Sequence, residues 1–366
     1  MRIGIEVTAA VRQGAGIGRY VRELLRAVAL ADTANDYRLF YASPSPLPHT
    51  LPPLPPNFTS RHLPFHDIWL ARLWHRLQLP LNVELITGPI DLYHAPDFTL
   101  PPVRARSVLT VHDLSFVRDP ESAAPGLRSY LQKVVPRSVR QADHVIAVSE
   151  ATKADLVEFY QTPESKITVL YEGVDTLFKP TSNPAIRSQY NLGSAPYILS
   201  ISTIQPRKNY RRLIQAVAAL PYEYSLVIAG NKGWLYDEIF AEAEKPGVRG
   251  RVKFIGFVPE ADLAALYSEA AAFAYPSLYE GFGLPILEAM ACGTPVLTSN
   301  VSCLPEVAGG AAKLVDPHSV EAIGEGLKQL LAERNIWIER GFTRAARFRW
   351  DDVARKLITL YESIGL

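Results

Sequence analysis

Tyr279-Glu280-Gly281-Phe282-Gly283-Leu284-Pro285-Ile286-Leu287-Glu288-Ala289-Met290 is the stretch on which the reading of this chain turns. The run from Ala272 to Tyr275 predicts a short buried strand, residues 276–283 the loop leaving it, and Leu284 to Ala291 a helix closed by Gly293. Glu280 then sits in the loop and Glu288 early in the helix. The free N–H groups and partial positive charge of a helix N-terminus attract a diphosphate, and glycines let a ligand come close to the backbone. Carboxylates on either side would accept hydrogen bonds from sugar hydroxyls, so the stretch suits a sugar nucleotide. Two glutamates at this spacing also read, in isolation, as a loop charge and a solvated helical charge.

The pattern Glu280-Gly-Phe-Gly-Leu-Pro-Ile-Leu-Glu288 resembles the signature of retaining glycosyltransferase family 4, whose fold is GT-B. The resemblance implies an α/β protein of two Rossmann-like domains, their parallel sheets facing across a cleft, with a C-terminal helix crossing back to the first domain. It places Glu280 beside the donor hexose, the backbone of Phe282, Gly283 and Leu284 against sugar and diphosphate, and Glu288 on the ribose.

Length and composition agree with two domains. The 366 residues exceed one ordinary core, and 48% hydrophobic with 20% charged residues is a globular balance. A formal charge of +1 argues against broad capture of nucleic acid. Two cysteines, Cys292 and Cys303, suggest neither a zinc site nor a disulfide framework, which fits a reducing, cytoplasmic setting. The chain goes from Met1 straight into a strand-like Arg2-Ile-Gly-Ile-Glu-Val7, with no signal peptide expected and no apolar run of about 18 residues.

Short apolar runs alternate with helical patterns, the mark of parallel sheets with helical crossovers. Strands are predicted near 2–7, 38–42, 91–94, 107–111, 145–148 and 167–170, and again near 197–202, 224–229, 252–255, 272–275 and 295–299, with a helix from Ile17 to about Leu30. The polar, proline-bearing segment 175–184 reads as a hinge. The expected domains are 1–178, joined by a final helix within 348–366, and 179–347. Residues 44–56, with seven prolines, read as a surface loop.

Gly14-Ala15-Gly16-Ile17-Gly18-Arg19 lies between the first strand and an amphipathic helix, where a phosphate cradle belongs. Arg19 stands where a dinucleotide fingerprint needs its third glycine, and a glycine-rich turn is also simply a turn. The resemblance gives the backbone near Gly16 to the donor diphosphate. In Val108-Leu-Thr-Val-His112-Asp113 a buried strand ends in two ionisable groups, where open parallel sheets put ligands. His112 reads equally as a structural residue, and the resemblance sets it beside the donor sugar with Asp113 orienting it.

Thr203-Ile-Gln-Pro-Arg207-Lys208-Asn209 puts two cations at a strand-to-helix turn, suited to the charge of a departing diphosphate. Bare Arg-Lys pairs are usually solvated, so context carries this reading. Family members often have arginine directly after a glycine at the strand end, where Ser202-Thr203 stands here. Gly230 and the Phe257-Val258 backbone, which in the family reads the base, also follow predicted strands. Glu172 replaces the asparagine usual before Gly173-Val174-Asp175.

No Asp-x-Asp occurs and no cluster has metal spacing, so metal-independent transfer is expected, without cofactor. The resemblance implies transfer of mannose or glucose, from GDP-mannose or UDP-glucose, to a glycan or lipid-linked acceptor, as in bacterial polysaccharide mannosyl- and glucosyltransferases. A nucleotide-sugar epimerase of similar fold and a non-catalytic nucleotide-sugar binding protein are the rival readings. Residues 68–79, with Trp69, Leu73, Arg72 and Arg76, suit packing within a domain, or else a helix lying on a membrane surface.

Overall fold

The computed structural model describes residues 1–14 and 16–365, Pro125 in its backbone only. Two compact units emerge. The first comprises Met1–Val117, Pro125–Gly173 and Arg349–Leu366; the second comprises Arg118–Ala124 and Val174–Phe348.

The first unit is built on seven parallel strands, β1 (Arg2–Glu6), β2 (Asp36–Ala42), β3 (Phe58–Leu63), β4 (Leu92–Ala95), β5 (Arg106–Val111), β6 (His144–Ala147) and β7 (Ile167–Val169), in the order β3-β2-β1-β4-β5-β6-β7. The second has six, β8 (Tyr197–Ile201), β9 (Ser225–Ala229), β10 (Val252–Gly256), β11 (Ala272–Tyr275), β12 (Val296–Ser299) and β13 (Lys313–Val315), in the order β10-β9-β8-β11-β12-β13. Each is a doubly wound sheet whose strand order reverses once, at β1/β4 and at β8/β11. Outside the carboxyl ends of such strand pairs a crevice opens, because the two flanking crossovers leave in opposite directions.

Sequence inspection missed two strands, β3 and β13, both at sheet edges. Interior parallel strands are covered on both faces and read as apolar runs. An edge strand such as Phe58-Thr-Ser-Arg-His-Leu63 leaves its middle residues exposed, so its composition resembles a loop. The proline-rich segment before it is a loop, although Leu51 and Leu54 pack onto the core.

The final helix, Trp350–Gly365, belongs to the first unit. Trp350, Val353, Ala354, Leu357 and Tyr361 face one way at helical spacing and join the core made by Ile3 and Ile5 of β1 and by Val21, Leu24, Leu25 and Val28 of the Ile17–Ala31 helix. Leu366 lies outside the described residues. The Tyr361 hydroxyl meets Nδ1 of fully buried His94 at 2.6 Å, and Thr110 Oγ1 meets Nε2 at 2.8 Å. With both nitrogens engaged by neutral hydroxyls, burial pushes His94 down to about 3, a neutral imidazole at physiological pH. Cys292 and Cys303 are free thiols, both buried.

Candidate active site

In the second unit the strand-order reversal brings the two most informative sequence motifs together. Thr203 to Asn209 leave β8, the turn 276–283 leaves β11, and β8 and β11 are neighbours, with Phe273 opposite Leu199. Pro206–Lys208 form one 3-10 turn, and Asn209, in the left-handed region, opens the Tyr210–Val217 helix. The Asn209 amide fixes that turn by donating to Pro276 O at 2.9 Å and Pro317 O at 2.7 Å.

Glu280 stands between the two cations. Its Oε2 accepts from Arg207 Nη1 at 2.9 Å, and its Oε1 accepts from Lys208 Nζ at 2.6 Å. Arg207 also donates to Tyr279 O at 2.6 Å, and Lys208 to the Tyr275 hydroxyl at 2.8 Å. Glu280 is 6% exposed. Such burial alone would raise its pKa, but Arg207 and Lys208 prevail and hold the carboxyl down at about 2. The triad is therefore fully ionised near neutrality, and two cations against one carboxylate leave it net positive. These cations are not the solvated pair that Arg-Lys usually is.

The loop bearing Glu280 is held from behind by the turn after β12. Ser302 Oγ accepts from Glu280 N at 3.0 Å, and Cys303 Sγ donates to Phe282 O at 3.0 Å. Phe282 is buried edge-on to Phe348, ring centroids 5.9 Å apart. Gly283 has φ +99° and directly precedes the Leu284–Ala291 helix, so the turn that presents the helix N-terminus uses a conformation side chains resist. Leu284 is half-buried. Glu288, one turn on, is buried and accepts from the Tyr267 hydroxyl at 3.0 Å, which sets aside the reading of it as a solvated helical charge.

Gly230 follows β9 with φ +139°, and a Cβ there would lie 2.0 Å from Ser202 O. That contact explains the glycine by backbone packing against the turn after β8. Thr203 is exposed on the same turn. Beyond β10, Phe257 stands 52% exposed while Val258 turns inward. The sequence reading missed Tyr275, Ser302, Cys303, Asn209 and Gln205. Gln205 is buried, with its Oε1 lacking a hydrogen-bond partner, and only its place two residues before Arg207 could have pointed to it.

His112 and Gly16 belong to the first unit. A short helix, Thr8–Arg12, intervenes between β1 and the glycine-rich loop, so the loop does not leave the strand directly as a simple cradle would. Ala15 lies outside the described residues. Gly16 has φ +58° with open space around a built Cβ, whereas a Cβ on Gly18 would lie 2.2 Å from Gln13 O. Arg22 donates to Ala10 O, Gln13 O and Gly14 O, gathering the carbonyls of this turn.

His112 directly follows β5 at the carboxyl edge of the first sheet. Its Nε2 lies 2.9 Å from Pro96 O, its Nδ1 3.7 Å from Glu172 Oε1, and Tyr20 packs edge-on at 4.7 Å. Burial disfavours the imidazolium, yet Glu172, Asp97 and the Pro96 carbonyl outweigh it and raise the pKa. The expectation that Asp113 orients His112 is corrected here. Asp113 Oδ1 instead accepts from Ser115 N at 2.8 Å, satisfying the start of the next helix, and Glu172 is the carboxylate beside the ring. The glutamate that looked anomalous before Gly173 is thus the counterion of His112.

Residues 14–177 match the family described as Glycosyltransferase Family 4, and residues 182–346 match Glycosyl transferases group 1. The chain is 34% identical over 371 residues to the O-antigen chain mannosyltransferase B of Escherichia coli, covering 95% of this chain and 96% of that protein. Among solved structures it is similar to sucrose-phosphate synthase from Thermosynechococcus elongatus, with a TM-score of 0.80, 22% identity and coverage of 99% of this chain and 98% of that one. It is also similar to Anabaena HepE in complex with UDP and glucose, with a TM-score of 0.75, 21% identity and coverage of 99% and 100%.

Proposed function

This chain belongs to glycosyltransferase family 4 with the GT-B fold, and from that premise we propose that it is a retaining hexosyltransferase working without a metal ion. It moves mannose or glucose from a nucleotide diphosphate to a hydroxyl of a glycan or lipid-linked acceptor. GDP-mannose is the favoured donor, in keeping with the mannosyltransferase relative, and UDP-glucose the second. The second unit binds the donor, and the first receives the acceptor.

The observation that carries this reading is the buried, net-positive Glu280–Arg207–Lys208 triad beside the glycine turn that opens the Leu284–Ala291 helix. Breaking a glycosidic bond to a diphosphate leaves growing negative charge on the phosphate oxygens. Two preorganised cations and a helix N-terminus oppose that charge without a metal ion. A carboxyl held at about 2 carries no proton at neutral pH, so Glu280 is no general acid. It sets the cations in place and accepts hydrogen bonds from the hexose. The acceptor hydroxyl attacks on the face from which the diphosphate leaves, and a phosphate oxygen takes its proton, which preserves the anomeric configuration. Backbone near Gly16, Thr203, Gly230, Phe282, Gly283 and Leu284 meets the diphosphate and sugar, Glu288 the ribose, and Phe257-Val258 the base. His112, its pKa raised by Glu172, is the group of the first unit assigned to polarise or orient the donor sugar.

Calorimetric titration of UDP, GDP, ADP and their hexose conjugates in EDTA tests the proposal. Selective binding of one nucleotide without metal, and anomer-retaining transfer from its hexose conjugate, is the expected result. Silence across the panel, or binding only after a divalent cation is added, would overturn it.

A further inference from the structure

Arg340, Arg344 and Arg347 line one groove of the second unit, about 530 Å³ in volume, between the turn after the Leu304–Ala308 helix and the Arg334–Ala345 helix. Spacings of four and three residues put the three side chains on one side of that second helix and of the turn that continues it. Elsewhere in the unit arginines find carboxylates: Arg187 pairs with Glu269, Arg207 with Glu280, and Arg211 with Glu238 and Glu242. Arg340 and Arg347 are exposed, and neither has a carboxylate partner among the described residues. Three guanidinium groups against the one carboxylate in the lining, Glu339, leave the groove two charges positive. Like charges four residues apart on a helix repel, so Arg340 and Arg344 carry a cost that an anion between them would relieve.

The wall of the groove is set before any ligand arrives. Arg344 is half-buried, its Nε donating to Val307 O at 2.9 Å and its Nη2 to Glu306 O at 2.6 Å, while its guanidinium lies 4.7 Å from the centre of the Phe348 ring. Gly309 admits this approach, since a Cβ there would lie 2.5 Å from the guanidinium carbon. Gly310 has open space where a side chain would stand, so the floor beside Arg344 is backbone. The helix C-terminus accounts for Arg344. It does not account for Arg340, which the Trp337 ring restricts at 5.2 Å without neutralising it, or for Arg347.

We propose that this groove binds a small phosphorylated sugar, its phosphate held by Arg340 and Arg347 against Arg344. Guanidinium forks match phosphate oxygens, and the volume falls among small-molecule sites of about 300–1,000 Å³, more than a bare phosphate fills. The Thr343 hydroxyl and the Glu339 carboxylate, also in the lining, then meet sugar hydroxyls. The Leu304–Ala308 helix ends in the groove and starts beside Ser302 and Cys303, which hold the Glu280 loop, so an occupant steadies the support of that loop. Binding in the groove stands independently of the donor reading.

Calorimetric titration of mannose 6-phosphate and of inorganic phosphate, at matched ionic strength, tests it. Both should bind, the sugar ester more tightly. Arg340→Gln with Arg347→Gln should weaken each at least about tenfold, and Glu339→Gln should tighten inorganic phosphate about threefold by removing a like charge. These variants replace exposed side chains, and an unchanged urea midpoint checks that they fold. Amide exchange across residues 303–308 should slow with mannose 6-phosphate in the wild type and not in the arginine variant. No heat from either ligand, or wild-type affinity in the arginine variant, would overturn the site. So would binding lost in Lys208→Ala and kept in the arginine variant, since the phosphate would then lie with the donor cations. Equal affinity for the two ligands would overturn the sugar, and unslowed exchange the link to the Glu280 loop.

Discussion

Replacing Glu280 by glutamine removes one negative charge, keeps the side-chain shape, and leaves half-buried Arg207 and buried Lys208 without their shared counterion. The fold holds this carboxyl at about 2 rather than 4.5, which favours its ionised form by about 3 kcal/mol at neutral pH. Stripping one partner from a buried charge group costs roughly 3–5 kcal/mol, so the two routes agree on a loss of about 3 kcal/mol. Urea unfolding of wild type and Glu280→Gln at pH 7 measures it. The carboxyl is depressed, so its contribution is present above about pH 4.5 and drains away as the pH falls toward 2. The gap between the proteins should therefore narrow on acidification. Lys208→Met relieves the repulsion that Glu280→Gln creates, and the double variant should be more stable than the sum of the single losses by about 1–3 kcal/mol. A Glu280→Gln protein within about 0.5 kcal/mol of wild type, or a gap unaffected by acid, would refute the triad as a coupled unit. On the proposed chemistry the same variant should lose transfer far more than nucleotide affinity.

Other perturbations follow from the same geometry. Gly230→Ala forces a Cβ against Ser202 O and should cost at least about 3 kcal/mol, whereas Gly16→Ala, with open space around it, should cost only the backbone strain of about 1–2 kcal/mol; paired urea midpoints compare them. Tyr361→Phe should lose about 1 kcal/mol with its bond to His94. Because His94 is held neutral down to about 3, the stability it permits is present above its ordinary 6.5 and declines below that by up to about 1.4 kcal/mol per pH unit, a slope that His94→Gln should remove. Glu172→Gln should lower the NMR titration midpoint of His112. The stabilisation lost would be that present at acid pH and absent once the pH passes the raised folded value, and an unmoved midpoint would assign the effect to Asp97.

Much of this arrangement was legible beforehand, for identifiable reasons. Ala272 to Tyr275 is covered on both faces and so spells a plain apolar run, and Gly283 with Pro285 marks the helix start at Leu284. The edge strands β3 and β13 carry no such mark, since one side of each has no neighbour to bury against. The motifs after β8 and β11 could each be found by eye, but their meeting could not, because strand order is a property of the whole sheet and Arg207 lies 73 residues from Glu280. Ser302 and Asn209 were illegible for a related reason: each acts by holding a loop from behind, and nothing in their local sequence says which loop. Glu172 looked like a departure until the sheet set it beside His112.

The helix from Trp350 to Gly365 supplies a wall of the first unit's core, yet a ribosome makes it only after residues 174–348 have been made. The Rossmann-like half that is translated first therefore cannot close first. Ile3, Ile5, Leu24 and Val28 wait with one flank bare while the second half, whose core draws on later residues alone, has all it needs to fold. A chain ending before Trp350 would hold every residue of the second unit's core and lack one flank of the first's, leaving a bare apolar face that attracts chaperones.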